Sequence, residues 1–307
     1  ARIMTGAPVP EGADAIIMHE RTSFTENTVT LTSPVASANI IPPGEDVTAG
    51  TLLVPKGKIL TASDLALIAG QGIADIEVYK KLSIGLISTG SELLDTGSPL
   101  EYGKIYNTNP YLLGGYIQKH HMTANYLNTV SDDLDSLCRA VLEALKTNDI
   151  VITTGGVSAG DFDYMPEVIR RIGGDLLFHR LKFKPGGAML GAFKDGKVIL
   201  GLSGNPGAAA TGLLCVGFPF MRKLSGRSDI TFSQTTAYLG VDFKKSSPVT
   251  RILKGHSDFK NGMLYFTPLS NQHNGSVSSM SDCDLLAIIP AGSKPLAAGD
   301  KLEVYIL

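Results

Sequence analysis

Apolar and polar positions along the chain change texture three times. Residues 1–49 are β-like and broken by Pro and Gly, in "DAIIMHE", "NTVTLTSPV" and "IIPPGEDVTAG". Val29 and Leu31 alternate with threonines at a period of two, as a half-buried strand does. Residues 50–82 hold a short helix, "TASDLALIAGQG", with a Thr or Ser cap, apolar residues at Leu65, Ile68 and Ala69, and closure near Gly70 or Gly72. A strand, "ADIEVYKK", is expected to follow.

From residue 83 to 228 strand, loop and helix repeat. "LSIGLIS", "DIVITT" and "GKVILGLSG" are continuous apolar runs, the pattern of parallel strands covered on both faces. Leu134, Leu137, Val141 and Leu145 fall on one helical face, with Ser131 as the expected N-cap. Val168, Ile169 and Ile172 precede a Gly stop, and "PGAAATGLLCVGFPFMRKLSG" predicts one long apolar helix. The alternation implies a doubly wound α/β domain with a largely parallel sheet. From 229 to 307 helical periodicity vanishes. "TTAYLGVDF", "RILKGHSDF", "GMLYFTPL", "DLLAIIP" and "KLEVYIL" predict a small all-β barrel or sandwich.

Composition narrows the classes. The 307 residues are 43% hydrophobic and 18% charged, enough for sizeable cores. A net charge of −2 gives no general reason to expect nucleic acid or an anionic membrane as partner. No apolar run approaches the roughly 20 residues of a membrane span. Cys138, Cys215 and Cys283 lie far apart, and read as reduced, mostly buried thiols of a cytoplasmic protein. Six histidines form no zinc pattern, and His120–His121 read as surface residues of a helix. The opening "ARIMTGAPVP" lacks an initiator Met, so a fragment of a longer protein is expected.

The candidate chemistry lies in three loops: "TGSELLDTG", "GGVSAGD" and "SGNPGAAA". Each follows the carboxyl end of an apolar strand and is expected to open towards a helix. In an open α/β sheet those ends share one edge, where ligands bind. Helix N-termini there favour an anion such as phosphate, although tight turns require glycine in any case. "GGVSAGD" is not a Walker A loop, because Asp161 stands where lysine should be, and no G-x-G-x-x-G occurs. Carboxylates beside a phosphate-friendly loop are reconciled by a bridging divalent cation. Glu92 and Asp163 are the stronger candidates for holding it. Asp161 also suits a helix cap, and Asp132 or Asp133 a helix N-terminus. In "HRLKFKPGG", Arg180 and Lys184 are candidates for an oxyanion or phosphate, whereas Lys182 reads as solvated.

"STGSEL", "KIYNTN", "TTGGVSAGDFDY", "KPGG" and "GLSGNP", in this order, resemble molybdopterin-binding domains. "RIMTGAPVPEGADAII" and "IPPGEDVTAG" resemble the MoeA family of molybdopterin molybdenumtransferases, and the likeness runs the whole chain. It implies a MogA-like central domain (83–228), the remainder of a β-rich N-terminal domain (1–49), part of an arm domain (50–82) and a C-terminal barrel (229–307). It further implies Mg²⁺-assisted insertion of molybdate into adenylylated molybdopterin with release of AMP, and a homodimer. A molybdopterin adenylyltransferase is the implied partner. The two rival readings are that adenylyltransferase activity itself and a non-catalytic scaffold like gephyrin.

The resemblance also assigns roles. Glu92, Asp132, Asp163, Arg180 and Lys184 are the implied catalytic residues, with Glu92 and Asp163 as metal ligands. Thr89, Gly90, Ser91, Asn107, Gly155, Gly156, Ser158, Asp161, Gly204, Asn205 and Pro206 are the implied binding residues. Thr5 and Asp46 join them from the N-terminal part, with Arg251 and Ser276 from the C-terminal domain. The sequence departs from the family at Ser203, where proline is usual, and at Gly187, where a second lysine is common. Family members begin well before this chain's first residue.

Overall fold

The computed structural model describes residues 1–33, 39–157 and 163–307. The chain divides into two compact units, residues 1–55 with 62–72, and residues 56–61 with 73–307.

In the first unit a 3₁₀ turn at His19–Arg21 leads into β1 (Thr22–Phe24), which pairs antiparallel with β2 (Val29–Leu31). A helix, α1 (Ala62–Gly70), completes it. The β2 strand exists, but Val29 and Leu31 are exposed rather than half-buried. A ribbon of two three-residue strands is too small to cover either of its own faces.

The strand expected at the start of the second unit does not form. Residues 74–81 enter no β-ladder despite their alternating pattern, and Ile76, Val78 and Tyr79 are exposed. Periodicity supplies the faces of a strand, but a partner must satisfy its backbone. The central sheet is built from β3 (Ser83–Ser88), β6 (Thr123–Tyr126), β7 (Ile150–Thr154), β8 (Asp175–His179), β10 (Leu190–Lys194) and β11 (Lys197–Leu202), in the order β6-β3-β7-β11-β10-β8. The first four strands pair in parallel and β10 alone runs against the rest, pairing antiparallel with β11 and β8, so the sheet is largely parallel, as expected. Short β4 (Leu93–Leu94) and β5 (Ile105–Tyr106) pair beside it, and β9 (Phe183–Lys184) leaves it for the barrel.

Helices cover both faces. Buried side chains of α2 (Asn109–Lys119), of α5 (Pro206–Gly212) and of α6 (Phe218–Leu224) pack with Ile84, Leu86, Ile150 and Leu200. Those of α3 (Leu134–Thr147) and α4 (Met165–Arg171) pack with Ile87, Val151 and Ile199. α3 shows how sequence fixes an element. Its Leu137, Val141 and Leu145 face the sheet, and its N-cap is Asp133, not Ser131. Asp133 accepts the Ser136 N–H at 2.8 Å, and Ser131 Oγ donates to Asp133 at 2.6 Å. These bonds hold the Asp133 carboxyl down at about 2. The expected single long helix is interrupted by a π segment at Leu213–Gly217, between α5 and α6.

β12 (Gln234–Leu239), β13 (Thr250–Lys260), β14 (Met263–Pro268), β15 (Leu285–Ile289) and β16 (Lys301–Ile306) form the C-terminal domain, with a short α7 (Ser278–Ser281). The strand order is β14-β12-β16-β15-β13, and β13 pairs back onto β14. The sheet therefore closes into a five-stranded barrel around Phe266, Leu253, Ala287 and Val304. β9 adds at the start of β13, pairing Lys184 with Arg251.

Candidate active site

β3, β7 and β11 are adjacent, parallel and in register: Ser88 faces Thr154, which faces Leu202. Their carboxyl ends therefore share one edge, and the three glycine loops meet there. Thr89 N–H donates to Thr154 O at 2.9 Å, and Gly155 N–H to Leu202 O at 3.0 Å. Gly155 has φ +102°, and a Cβ on it would lie 2.8 Å from Thr89 O. A Cβ on Gly204 would sit 3.6 Å from Gly155 Cα. At Gly155 only glycine lets the backbones meet this closely, whereas the Gly204 contact is ordinary packing. Beneath them runs a buried polar chain. Thr154 Oγ1 donates to Ser88 Oγ at 3.2 Å, Ser88 Oγ to Asn107 Oδ1 at 3.3 Å, and Asn107 Nδ2 to Thr129 Oγ1 at 3.2 Å. Satisfied networks of this kind rigidify what they support.

The loop after β3 carries Glu92. It does not open directly into a helix, as expected, but passes through the β4–β5 pair before α2. The Ser91 peptide is held from both sides. Its N–H donates to Asp132 Oδ2 at 3.3 Å, and its C=O accepts from Lys104 Nζ at 2.6 Å. Glu92 folds back over Gly90, where a Cβ would lie 2.7 Å from Oε2. Asp132 is thus tied to the Glu92 loop, while its neighbour Asp133 serves the helix.

The loop after β7 leads to Asp163. Ser158 and Asp161 lie outside the described residues. Gly156 has φ +65°, and its C=O accepts from Met165 N at 3.2 Å. Asp163 is 14% exposed, and its Oδ2 lies 3.8 Å from Arg180 Nη2. Among the described residues its buried Oδ1 has no hydrogen-bonding partner, and neither has His179 Nε2. Burial raises the Asp163 carboxyl pKa, against the opposing pull of His179 and Arg180. Arg180 sits at φ +66° where β8 ends, and Lys184 is exposed before a cis Pro185.

The third loop differs from expectation. Asn205 N–H donates to Ser203 Oγ at 3.2 Å, and Asn109 Nδ2 to Gly204 O at 2.8 Å. Pro206 opens α5. The α5 N–H groups do not await an anion. Gly207 N–H donates to Asn274 O at 2.7 Å and Ala208 N–H at 3.3 Å, so a barrel loop satisfies them. Arg251 Nε lies 3.4 Å from Ser247 Oγ, and Ser276 Oγ accepts from Asn271 Nδ2 at 2.8 Å. Thr5 and Asp46 occupy exposed turns of the first unit.

His120 is half-buried rather than a surface residue. Its ring packs 4.4 Å from Phe218 and 5.3 Å from Phe232, beside Arg222. Burial first, then Arg222, lowers its pKa to about 4. The cysteines are free and partly buried.

Comparison with known proteins decides the family. Residues 1–72 match the MoeA N-terminal region (domain I and II), 85–223 a probable molybdopterin binding domain, and 236–307 the MoeA C-terminal region (domain IV). A molybdopterin molybdenumtransferase of Staphylococcus aureus (strain MRSA252) is 36% identical over 306 residues, which is 99% of this chain and 73% of that protein. The chain belongs to the molybdopterin molybdenumtransferase family. The family member of Bacillus subtilis (strain 168) is 36% identical over 311 residues, covering 100% of this chain and 72% of its own. The crystal structure of the molybdopterin biosynthesis moeA protein of Pyrococcus horikoshii superposes with a TM-score of 0.82 at 26% identity, over 97% of this chain and 73% of that one.

Within this family fold, sequence reasoning missed Lys104, Asn109 and Asn274. Lys104 stands in the quoted "KIYNTN", whose lysine is the signal that could have found it. Asn274 contributes only its backbone carbonyl, which no side-chain pattern reveals.

Proposed function

We propose that this chain is a molybdopterin molybdenumtransferase of molybdenum cofactor biosynthesis, inserting molybdate into adenylylated molybdopterin with release of AMP. The observation that carries the reading is the contact of three glycine loops at one sheet edge, two of them bearing carboxylates, Glu92 with Asp132 and Asp163 with Arg180. Ser91 and Asn205 are the polar loop residues that suit a pterin and its phosphates, with Asn107 bracing the loops from beneath. Arg180 and Lys184 suit the oxyanion, since cation–oxyanion hydrogen bonds are strong and directional. Thr5, Asp46, Arg251 and Ser276 are further contacts in this reading, as are Ser158 and Asp161. Residues 1–49, 50–82, 83–228 and 229–307 are its working parts.

Among the described residues no three carboxylate, imidazole or thiol groups gather into a metal site. The unpartnered Oδ1 of Asp163 is nonetheless a hard oxygen donor suited to Mg²⁺. Asp163 and Glu92 would hold the ion, with substrate oxygens and water completing six ligands. When bound, Mg²⁺ supplies charge neutralisation at the pyrophosphate. Arg180, 3.8 Å from Asp163, keeps that carboxylate oriented. Asp132 and Lys104 hold the Ser91 peptide, which fixes where Glu92 projects. The reading includes a homodimer in the cytoplasm that takes its substrate from a molybdopterin adenylyltransferase.

The test is AMP release from molybdopterin adenylate with and without molybdate and Mg²⁺. Molybdate-dependent release is expected, with a loss of about 10²-fold or more in Asp163→Asn. ATP consumption instead would identify an adenylyltransferase. Release unchanged in both Asp163→Asn and Glu92→Gln would remove the proposed site.

A further inference from the structure

Lys254 lies in β13 with no exposed surface and no acidic ion-pair partner among the described residues. A buried ammonium is retained only where hydrogen bonds offset its lost hydration. Its Nζ donates to His273 O at 3.2 Å and to Ser279 Oγ. Ser279 Oγ donates onward to Ser276 O at 2.8 Å. The Lys254 backbone holds the same loop, its N–H donating to Gln272 Oε1 at 3.1 Å and its C=O accepting Gln272 Nε2 at 2.7 Å. One residue thus fastens residues 269–279 at both ends.

That loop projects Asn274 O onto the first two free N–H groups of α5. The approach leaves no spare room. A Cβ on Gly207 would lie 2.9 Å from Asn274 O and 3.1 Å from Lys254 Nζ. The SGNPG loop, which meets Gly155 at the sheet edge, is therefore positioned by the barrel.

We propose that Lys254 is a positioning residue of the substrate site, locking the barrel loop that carries Ser276 onto the α5 N-terminus and so fixing the SGNPG loop. The proposal rests on the function argued above. Lys254 touches no reacting atom in it and acts through Asn274 and Gly207.

The test combines amide exchange with binding. In Lys254→Met, which keeps the length of the side chain, exchange at Gly207 and Ala208 accelerates by about tenfold or more, while β3 and β7 amides keep wild-type protection. The Kd for molybdopterin adenylate, by calorimetric titration, rises about tenfold. Ser279→Ala, which removes one acceptor, gives the same changes at smaller size and serves if Lys254→Met does not fold. Leu253→Ala opens the barrel core on the same strand. It lowers Tm without moving Kd, which separates positioning from general weakening. Exchange and Kd both unchanged in folded Lys254→Met or Ser279→Ala overturn the proposal, as does faster exchange with unchanged Kd. A wild-type chain that binds no molybdopterin adenylate overturns the functional reading as well, and is recognised before any variant is made. Wild-type binding without AMP release overturns the reaction alone.

Discussion

Gly155→Ala probes the junction on which the site depends. Gly155 sits at φ +102°, a conformation that alanine adopts at a cost of roughly 1–3 kcal/mol. The new methyl would also lie 2.8 Å from Thr89 O and closer still to Thr89 Oγ1. The carbonyl belongs to a backbone fixed by the β3–β7 ladder, so it cannot swing away. Crowding of this kind in a packed region adds about 1–3 kcal/mol. A total near 3 kcal/mol corresponds to a fall in Tm of roughly 6–12 °C, at about 2–4 °C per kcal/mol for a domain of this size. Differential scanning calorimetry reads it directly. Thr89→Ala removes the hydroxyl contact but not the carbonyl contact or the strain, so the double variant recovers only part of the loss. A Gly155→Ala protein melting within about 2 °C of wild type would refute the reasoning. So would full rescue by Thr89→Ala. Because the loops bearing Glu92 and Asp163 are forced apart, molybdate-dependent AMP release should fall by more than the melting temperature alone explains.

Other expectations follow from single contacts. His120 is held neutral, with its pKa lowered from 6.5 to about 4. The unfolded chain therefore binds more protons between those values, and stability falls as pH drops from 6.5 towards 4. Urea melts across that window should lose stability on the order of 2 kcal/mol, and His120→Phe should flatten the slope. Lys104→Met frees the Ser91 carbonyl, so AMP release should drop about tenfold with Tm little changed, and an unaltered rate would exclude its role in holding Glu92. Asp133→Ala should lower Tm and Ser131→Ala should lower it less, the reverse order marking Ser131 as the cap. Burial pushes the Cys215 thiol up to about 12 and Cys283 up to about 11. Alkylation near pH 8 should therefore be slow at both until the protein is denatured.

The central strands and the five barrel strands were legible because burial on two faces and on one face leave different signatures, continuous and alternating. The shared edge of the three loops followed from the same reasoning. Where sequence reading failed, the cause was a partner supplied from elsewhere. Residues 74–81 alternate correctly but meet no strand. "AFKDGKVIL" contains the Asp-Gly turn of the β10–β11 hairpin, with Asp195 at φ +50° and Gly196 at φ +76°, yet only its second half reads as a buried strand. His120 owes its burial to Phe218 and Phe232, about a hundred residues away in sequence. Lys254 lies among four consecutive buried residues of β13, which breaks the alternation that would have flagged it. In the candidate site, Glu92 and Asp163 could be named from their loops, whereas Asp132 was singled out only through the family resemblance. The division of labour between Asp132 and Asp133 depends on which N–H group each reaches, a distinction of a few ångströms.

The strand β9 has a consequence for modularity. It sits between two strands of the central sheet in the chain but hydrogen-bonds to β13 of the barrel, so the C-terminal domain borrows part of its perimeter from the middle of the polypeptide. Cutting the chain before β12 would strip that borrowed segment away and bare backbone at the start of β13, an open edge that invites self-association. Recombination that exchanged barrels among relatives would have to carry residues 183–184 in compatible form, or give up the contact.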